Sequence, residues 1–250
     1  MPRFAANLTF LFNEFPPIER IEQASKAGLD AVEILFPYDL DANRLSSELG
    51  DYNIPLALIN TPPTFWSSGQ RGLAAVPGQQ ESFRRDFTRA LKLAQNLSAQ
   101  HIHVMSGIAN GPKATDTFLK NLEWACEQAP DQSLTIEPIN PTDMPGYFLS
   151  SFDQAAKIIT TLKARNLALQ FDTYHAQIIT GDVQKTWNQH GHLAAHIQVA
   201  STPNRDEPST DPFDHPAFFH HLDKTGYTGL ISGEYHPKTR TIDGLNWLNT

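Results

Sequence analysis

Eight short apolar runs constrain the fold of this chain more than any other feature of its sequence. The runs are RFAANLTF (3–10), DAVEILF (30–36), IPLALIN (54–60), HIHVMSG (101–107), SLTIEPI (133–139), LALQFDT (167–173), AAHIQVA (194–200) and GLISGEY (229–235). Most of them carry apolar residues at successive positions, a pattern that is typical of parallel strands covered on both faces. The sequence therefore predicts eight buried strands.

Helical patterns lie between these runs. The clearest segments cover residues 18–28, 80–97, 116–129, 151–164 and 214–226. In the second segment, Phe83, Phe87, Leu91 and Ala94 recur at the spacing that places them on one helix face. Strands and helices thus alternate along all 250 residues. This alternation predicts an α/β fold, a single-domain (β/α)₈ TIM barrel over residues 1–250.

The alternative fold is an open, doubly wound sheet. Eight units of similar length favour a closed barrel. In addition, no Gly-x-Gly-x-x-Gly motif follows the first strand, where a dinucleotide-binding fold often carries one.

One connection is too long for a compact barrel. Residues 61–79, TPPTFWSSGQRGLAAVPGQ, join the third strand to the helix that begins near residue 80. Long loops inside compact domains are usually either functional or disordered. Phe65, Trp66 and Arg71 argue against disorder here, so the sequence predicts a lid over residues 61–79.

Charge and cysteine content narrow the class of protein. The formal net charge is −8, whereas a protein that binds phosphate backbones usually needs a basic surface. Cys126 is the single cysteine, so no internal disulfide can form. The sequence has no apolar run of about eighteen residues, the length that a spanning helix needs. We expect a soluble, cytoplasmic protein that binds neither nucleic acid nor membrane.

Polar side chains end the last four predicted strands. They are Glu137, Asp172, Gln198 and Glu234, each separated from the next by one strand–helix unit. Because active sites of such barrels lie at the carboxyl ends of the strands, the four should face one common volume. Taken singly, a strand-end Glu more often caps a helix or pairs with a Lys. Together, three carboxylates in an apolar mouth would repel one another and lose hydration, and a divalent cation relieves both costs. Oxygen ligands without Cys favour Mg²⁺ or Mn²⁺.

Further residues near the predicted mouth are candidates for binding substrate. His175 lies three residues beyond Asp172, at the start of the next helix. Arg205 follows the seventh strand, and its planar guanidinium matches a carboxylate, although a surface salt bridge is the simpler interpretation. Arg71 is a weaker candidate. Three other histidines are interpreted as structural: His101 and His103 as core or rim residues, and His196 as support from below the site.

Several stretches resemble the hydroxypyruvate isomerase family, within the xylose-isomerase-like group of TIM barrels. They are RFAANLTFLF, VEILFPYD and GQRGLAAVPG in the first half, and TIEPIN, DTYH, HIQVA, TPNRDEP and GEYHP in the second. The match runs in the same order over essentially the whole chain. TIEPIN and GQRGLAAVPG are fairly specific to this branch.

The resemblance implies a metal-assisted isomerase of a small hydroxy or 2-oxo acid, such as hydroxypyruvate converted to tartronate semialdehyde through an enediolate. It implies that Glu137 and Glu234 form the acid/base pair, and that they bind the ion together with Asp172 and Gln198. In sugar epimerases of the same superfamily a His commonly stands at the position of Gln198, which favours the isomerase branch. The positions that contact substrate in these relatives correspond to His175 and Arg205.

Three other functions stay open at this point. A keto-sugar epimerase would use the same site on a larger, neutral substrate. A phosphodiesterase similar to endonuclease IV shares the barrel but needs more His ligands and a basic surface. A barrel that only binds a small acid would show no turnover. The expected partner is therefore a small acid substrate, and homo-oligomer formation is left open.

Overall fold

A computed structural model describes residues 2–63 and 71–249 as a closed barrel of eight parallel strands. The strands are β1 (Arg3–Asn7), β2 (Ala31–Glu33), β3 (Leu56–Asn60), β4 (His101–His103), β5 (Ser133–Ile136), β6 (Leu167–Asp172), β7 (Ala194–Val199) and β8 (Leu230–Gly233). Each strand pairs with the next in chain order, and β8 closes the barrel on β1. The predicted TIM barrel is confirmed, and each of the eight predicted runs contains one strand.

Helices surround the barrel in the described part of the chain. They are α1 (Arg20–Lys26), α2 (Ala42–Asp51), α3 (Gln80–Leu97), α4 (Gly111–Gln128), α5 (Phe152–Leu162), α6 (Thr173–Thr180), α7 (Val183–His190) and α8 (His215–Lys224). Four of the five segments predicted as helices contain one, and the fifth, residues 116–129, overlaps α4, which begins five residues earlier at Gly111. The sequence pattern missed α2, in which only Leu45 and Leu49 are buried. It also did not resolve α6 from α7, which are separated at Gly181 in a left-handed conformation.

The barrel strands carry both apolar and polar buried side chains. A small apolar cluster joins residues of β1, β2, β3 and β8 with Leu35, and it comprises Ala5, Ala31, Leu35, Ala57, Leu58 and Leu230. The buried polar residues Gln170, Asp172, His196 and Gln198 belong to β6 and β7. Asn7 and Glu33, at the ends of β1 and β2, are buried as well, so early and late strands both contribute polar groups.

The main core lies between the strands and the helices. In α3, Phe87 is fully buried and its ring packs 5.8 Å from that of Trp124, measured between centroids. We expect Phe87→Ala to lower the free energy of unfolding by about 3–5 kcal/mol, because it leaves a cavity in a packed interface. Denaturant unfolding would measure the change. Thr88→Ala, on the exposed side of the same helix, should stay within about 0.5 kcal/mol of the wild type. A loss below about 1 kcal/mol for Phe87→Ala would contradict this packing.

The predicted lid lies partly outside the described residues. Residues 64–70, including Phe65 and Trp66, are not described, and the lid stays a prediction. Where the description resumes, Gly72 forms a bridge with Ser106, just beyond β4. Its φ is 87°, and a Cβ atom there would lie 2.2 Å from the carbonyl oxygen of Met105. A glycine is needed at this position, because the chain passes directly over the end of β4.

None of the helices in residues 2–63 and 71–249 combines the length and the apolar composition that crossing a lipid bilayer requires.

Candidate active site and metal centre

The four strand-end residues predicted from the sequence lie buried at the same end of the barrel. Asp172 is the last residue of β6 and stands beside Gln198 of β7 in the parallel register. Glu137 follows directly after β5 and Glu234 directly after β8. Each of the four residues has at most 6% of its surface exposed. The fold therefore gathers these groups as the strand spacing predicted.

Local structure fixes Asp172 particularly well. Its side chain is the N-cap of α6 and accepts a hydrogen bond from the backbone N–H of Tyr174 at 2.7 Å. An N-cap aspartate normally stabilises the first turn of a helix. In this case the same contact holds one carboxylate oxygen, Oδ1, while the second, Oδ2, faces Arg205 and His175.

Arg205 lies across the carboxyl groups. Its Nη2 is 2.8 Å from Glu234 Oε1 and 3.3 Å from Asp172 Oδ2, and its Nε donates to the backbone oxygen of Glu234. The guanidinium carbon stands 5.3 Å from the ring centroid of Phe10 and 5.0 Å from that of Tyr174. Two aromatic faces and two carboxylates thus hold the charged group in one orientation.

His175 points one ring nitrogen at the carboxyl groups. Its Nδ1 accepts hydrogen bonds from the side-chain amide of Asn140 at 2.8 Å and from the backbone N–H of Asn140 at 3.4 Å. Because Nδ1 is an acceptor, the ring proton is assigned to Nε2. That nitrogen lies 3.7 Å from Asp172 Oδ2 and 3.9 Å from Glu137 Oε1. His175 therefore presents an N–H donor to the site.

The site carries more buried negative charge than its surroundings neutralise. Burial, together with the charges of Glu234 and Asp172, raises the pKa of Glu137 well above its usual range. Burial also raises the pKa of Glu234 to about 8, against the opposing effect of Arg205, and it raises the pKa of Asp172. For Arg205, burial lowers the pKa, but the carboxylates outweigh it and the net pKa is raised. The pKa of His175 is lowered by burial and by Arg205.

These groups fit a divalent cation. One ligand atom each from Glu137, Asp172 and His175 lies within 4.8 Å of the others. With its proton on Nε2, His175 would stand beside the ion as a hydrogen-bond donor, and the carboxylates would be the ligands. Raised carboxyl pKa values in a buried oxygen-rich cluster indicate a deficit of positive charge, which a metal ion would supply. The side chain of Gln198 is engaged in hydrogen bonds that were not predicted. Its amide oxygen accepts from Gln170 and its amide nitrogen donates to Glu33.

Two site residues were missed or misjudged from the sequence. His103 was interpreted as a core or rim residue, but its Nδ1 lies 3.6 Å from Glu137 Oε2 and 3.3 Å from Asn60 Oδ1. Glu33 was not considered, although it is fully buried and hydrogen-bonded to Gln198. The only available signal was a charged residue inside an apolar strand, as in AVE of β2. His196 does lie below the site, where it hydrogen-bonds to Glu33.

A small cavity of about 150 Å³ opens over the carboxyl groups of Glu137 and Glu234. Arg71, His175 and Arg205 line its polar side. Its apolar wall is formed by Phe10, Leu35, Phe36, Met105, Ile139 and Met144. Pockets for drug-sized ligands typically measure about 300–1,000 Å³, so this cavity suits a molecule of only a few carbon atoms.

Comparison with known proteins agrees with this geometry. A family model described as a xylose isomerase-like TIM barrel matches residues 21–250. A 2-oxo-tetronate isomerase from Cupriavidus necator is 42% identical over 254 residues, which cover 99% of this chain and 98% of that protein. A hydroxypyruvate isomerase from Escherichia coli is 34% identical over 255 residues, covering 100% of this chain and 99% of that protein.

A solved structure with nearly the same backbone carries a different name. It is titled AP endonuclease, family 2, from Brucella melitensis, and it superposes with a TM-score of 0.96 at 39% sequence identity. The match covers 100% of this chain and 98% of that one.

Proposed function

This chain belongs to the xylose isomerase-like TIM barrels, in the hydroxypyruvate and 2-oxo-tetronate isomerase family, and we propose that it isomerises a small 2-oxo acid. The reaction class is an intramolecular oxidoreduction, in which hydrogen moves between neighbouring carbon atoms. Hydroxypyruvate going to tartronate semialdehyde, or the analogous change in 2-oxo-tetronate, fits this class.

One observation carries the proposal. The carboxyl groups of Glu137 and Glu234 come from strand ends on different sides of the barrel and line the same small cavity. Two carboxyl groups placed around one substrate can remove a proton from one carbon and deliver a proton to the next. Their buried surroundings raise the pKa of both groups, so each holds a proton more readily than an exposed carboxyl group and can deliver it during the reaction.

The cofactor of the proposal is a divalent ion, Mg²⁺ or Mn²⁺, held by Glu137, Asp172, Gln198 and Glu234. When bound, such an ion would neutralise the carboxylates and stabilise the negative charge that develops on the substrate oxygens. Its support is the buried oxygen-rich cluster with its deficit of positive charge.

The proton path uses the two glutamates in sequence. One carboxylate removes a proton from the hydroxymethyl carbon, C3, and the C–H electron pair forms the C2–C3 double bond of a cis-enediolate while negative charge passes to the C2 oxygen. The proton of the C3 hydroxyl moves to the C2 oxygen, and the other carboxyl group delivers a proton to C2, which gives the 2-hydroxy-3-oxo acid. C3 is oxidised as C2 is reduced, so no redox cofactor is required.

Three further residues would hold the substrate. Arg205 uses Nε and Nη2 for Glu234 and Asp172, so its Nη1 is the donor that would turn to the substrate carboxylate. His175 would donate from Nε2 to a substrate oxygen. Arg71 lines the cavity and would add a second positive charge, while the predicted lid over residues 61–79 would exclude water from the enediolate.

The proposal is tested by turnover of the metal-stripped protein with Mg²⁺ or Mn²⁺ added back. Hydroxypyruvate, 2-oxo-tetronate and a neutral ketose would be offered side by side. We expect conversion of an acid, because Arg71 and Arg205 match an anionic substrate. The conversion should depend on the added ion, because the buried carboxylates lack compensating positive charge. Product formation would be followed by NMR.

Other outcomes would redirect the assignment. Conversion of the neutral ketose alone would favour the keto-sugar epimerase alternative. Incision of an oligonucleotide with an abasic site, included because of the name of the Brucella structure, would contradict the isomerase proposal. Turnover of the acid that is unaffected by chelation would remove the metal from the proposal.

A further inference from the structure

A second set of buried polar groups lies inside the barrel, in contact with the candidate metal centre. Its centre is Glu33, the last residue of β2, whose side chain is fully buried. Glu33 Oε2 accepts hydrogen bonds from Nδ2 of Asn7 and from Nε2 of Gln198, both at 2.9 Å. Its Oε1 accepts from Nε2 of His196. Because a buried carboxylate is costly unless it is hydrogen-bonded, these three donors account for its presence.

The same network fixes the other end of the Gln198 side chain. The amide oxygen of Gln198 accepts from Nε2 of Gln170 at 2.6 Å, and Gln170 Oε1 accepts from Thr135 Oγ1 at 3.0 Å. A carboxylate can only accept, so Glu33 requires the nitrogen of the Gln198 amide on its own side. The amide oxygen must then lie on the opposite side. Without Glu33, only the hydrogen bond from Gln170 would fix the orientation of the amide.

We propose that Glu33 is a positioning residue that holds the Gln198 amide in the orientation a metal ligand needs. The inference rests on the proposed function, in which Gln198 is one of the ligands. An amide oxygen has two acceptor positions, and Gln170 occupies one, which leaves one for the ion. Groups that orient a ligand from behind typically contribute about 10- to 100-fold to metal affinity.

The test measures the affinity of the metal-stripped protein for Mn²⁺ by electron paramagnetic resonance. We expect Glu33→Gln to weaken binding about 10- to 100-fold, because an amide at position 33 accepts either orientation of Gln198. Glu33→Asp keeps the charge but shortens the side chain, so it should also weaken binding, by about 10-fold. If Glu33→Gln does not fold, Glu33→Asp carries the test alone. Wild-type affinity in Glu33→Asp would mean that charge, not orientation, matters, and would overturn the inference.

A double-mutant cycle separates positioning from a general electrostatic effect. In a Gln198→Ala background, Glu33→Gln should change the Mn²⁺ affinity by less than about two-fold, since the residue it orients is gone. Effects that multiply in the double variant would show that Glu33 acts independently of Gln198, and would overturn the proposal.

Glu14→Gln is the matched control. The Glu14 carboxylate also accepts two hydrogen bonds, both from Thr241, but it contacts none of the candidate ligands among its described hydrogen bonds and ion pairs. This variant should keep the wild-type Mn²⁺ affinity. Wild-type affinity in the Glu33 variants as well would overturn the inference and leave the proposed function standing. Absence of Mn²⁺ binding by the wild type would overturn both.

Discussion

Glu137→Gln and Glu234→Gln should each lower kcat by about 10²- to 10⁴-fold, the range that a positioned acid or base contributes. The amide has nearly the shape of the carboxyl group, so the cavity and the fold should be preserved. It cannot take up a proton from carbon, and it is a poorer ligand for a cation, which adds to the loss. Steady-state kinetics with saturating Mg²⁺ would separate the two effects, because only the second is reduced by more metal.

Isotope exchange would assign the two roles. The variant that lacks the proton-abstracting group should not exchange the hydroxymethyl hydrogens of the substrate with D₂O. The variant that lacks the proton-delivering group should still exchange them while forming little product. Glu14→Gln, away from the site, should have wild-type kinetics. Near-normal turnover in either Glu137→Gln or Glu234→Gln would refute the proposed acid/base pair.

Arg205→Ala should produce the second largest effect, on substrate binding. Truncating one partner of a buried, hydrogen-bonded charge pair typically costs about 2–5 kcal/mol, which corresponds to about 30- to 4,000-fold in kcat/KM. The loss should appear mainly as a higher KM for the acid. The kcat/KM of Arg205→Lys should lie between the values for the wild type and for Arg205→Ala. Lysine keeps the charge but loses the planar fork and the stacking on Phe10 and Tyr174.

A neutral analogue provides the specific readout for Arg205. Dihydroxyacetone resembles hydroxypyruvate but has a hydroxymethyl group in place of the carboxylate, so its inhibition constant should change little in Arg205→Ala. Arg240→Ala is a matched control, because Arg240 is exposed and pairs with Asp243. Equal weakening of the acid and the neutral analogue would argue against Arg205 as the carboxylate-binding residue.

Much of the fold could be predicted because its signals are local. Buried parallel strands show as continuous apolar runs, and α3 shows as a face of Phe83, Phe87 and Ala94. The long helix was predicted with its observed bounds of residues 80–97. By contrast, α2 buries only Leu45 and Leu49, so its apolar pattern is too sparse to recognise.

The candidate site, like the fold, could be predicted only in part. Glu137, Asp172 and Glu234 could be predicted because a carboxylate at the end of an apolar strand needs a partner, and barrels bring strand ends together. His103 could not be placed, because a histidine inside a three-residue strand faces either the interior or the helices, and one sequence does not say which. Glu33 was missed for the same reason.

The sequence by itself therefore determined the order of the eight strands, the closed barrel and the edge at which the acidic residues gather. These features follow from the periodicity of apolar residues and from the direction of parallel strands. Only the tertiary structure decided that Glu33 contacts Gln198, 165 residues away, and that Arg205 bridges Glu234 and Asp172. Such contacts depend on closure of the barrel, which joins residues that no local pattern relates.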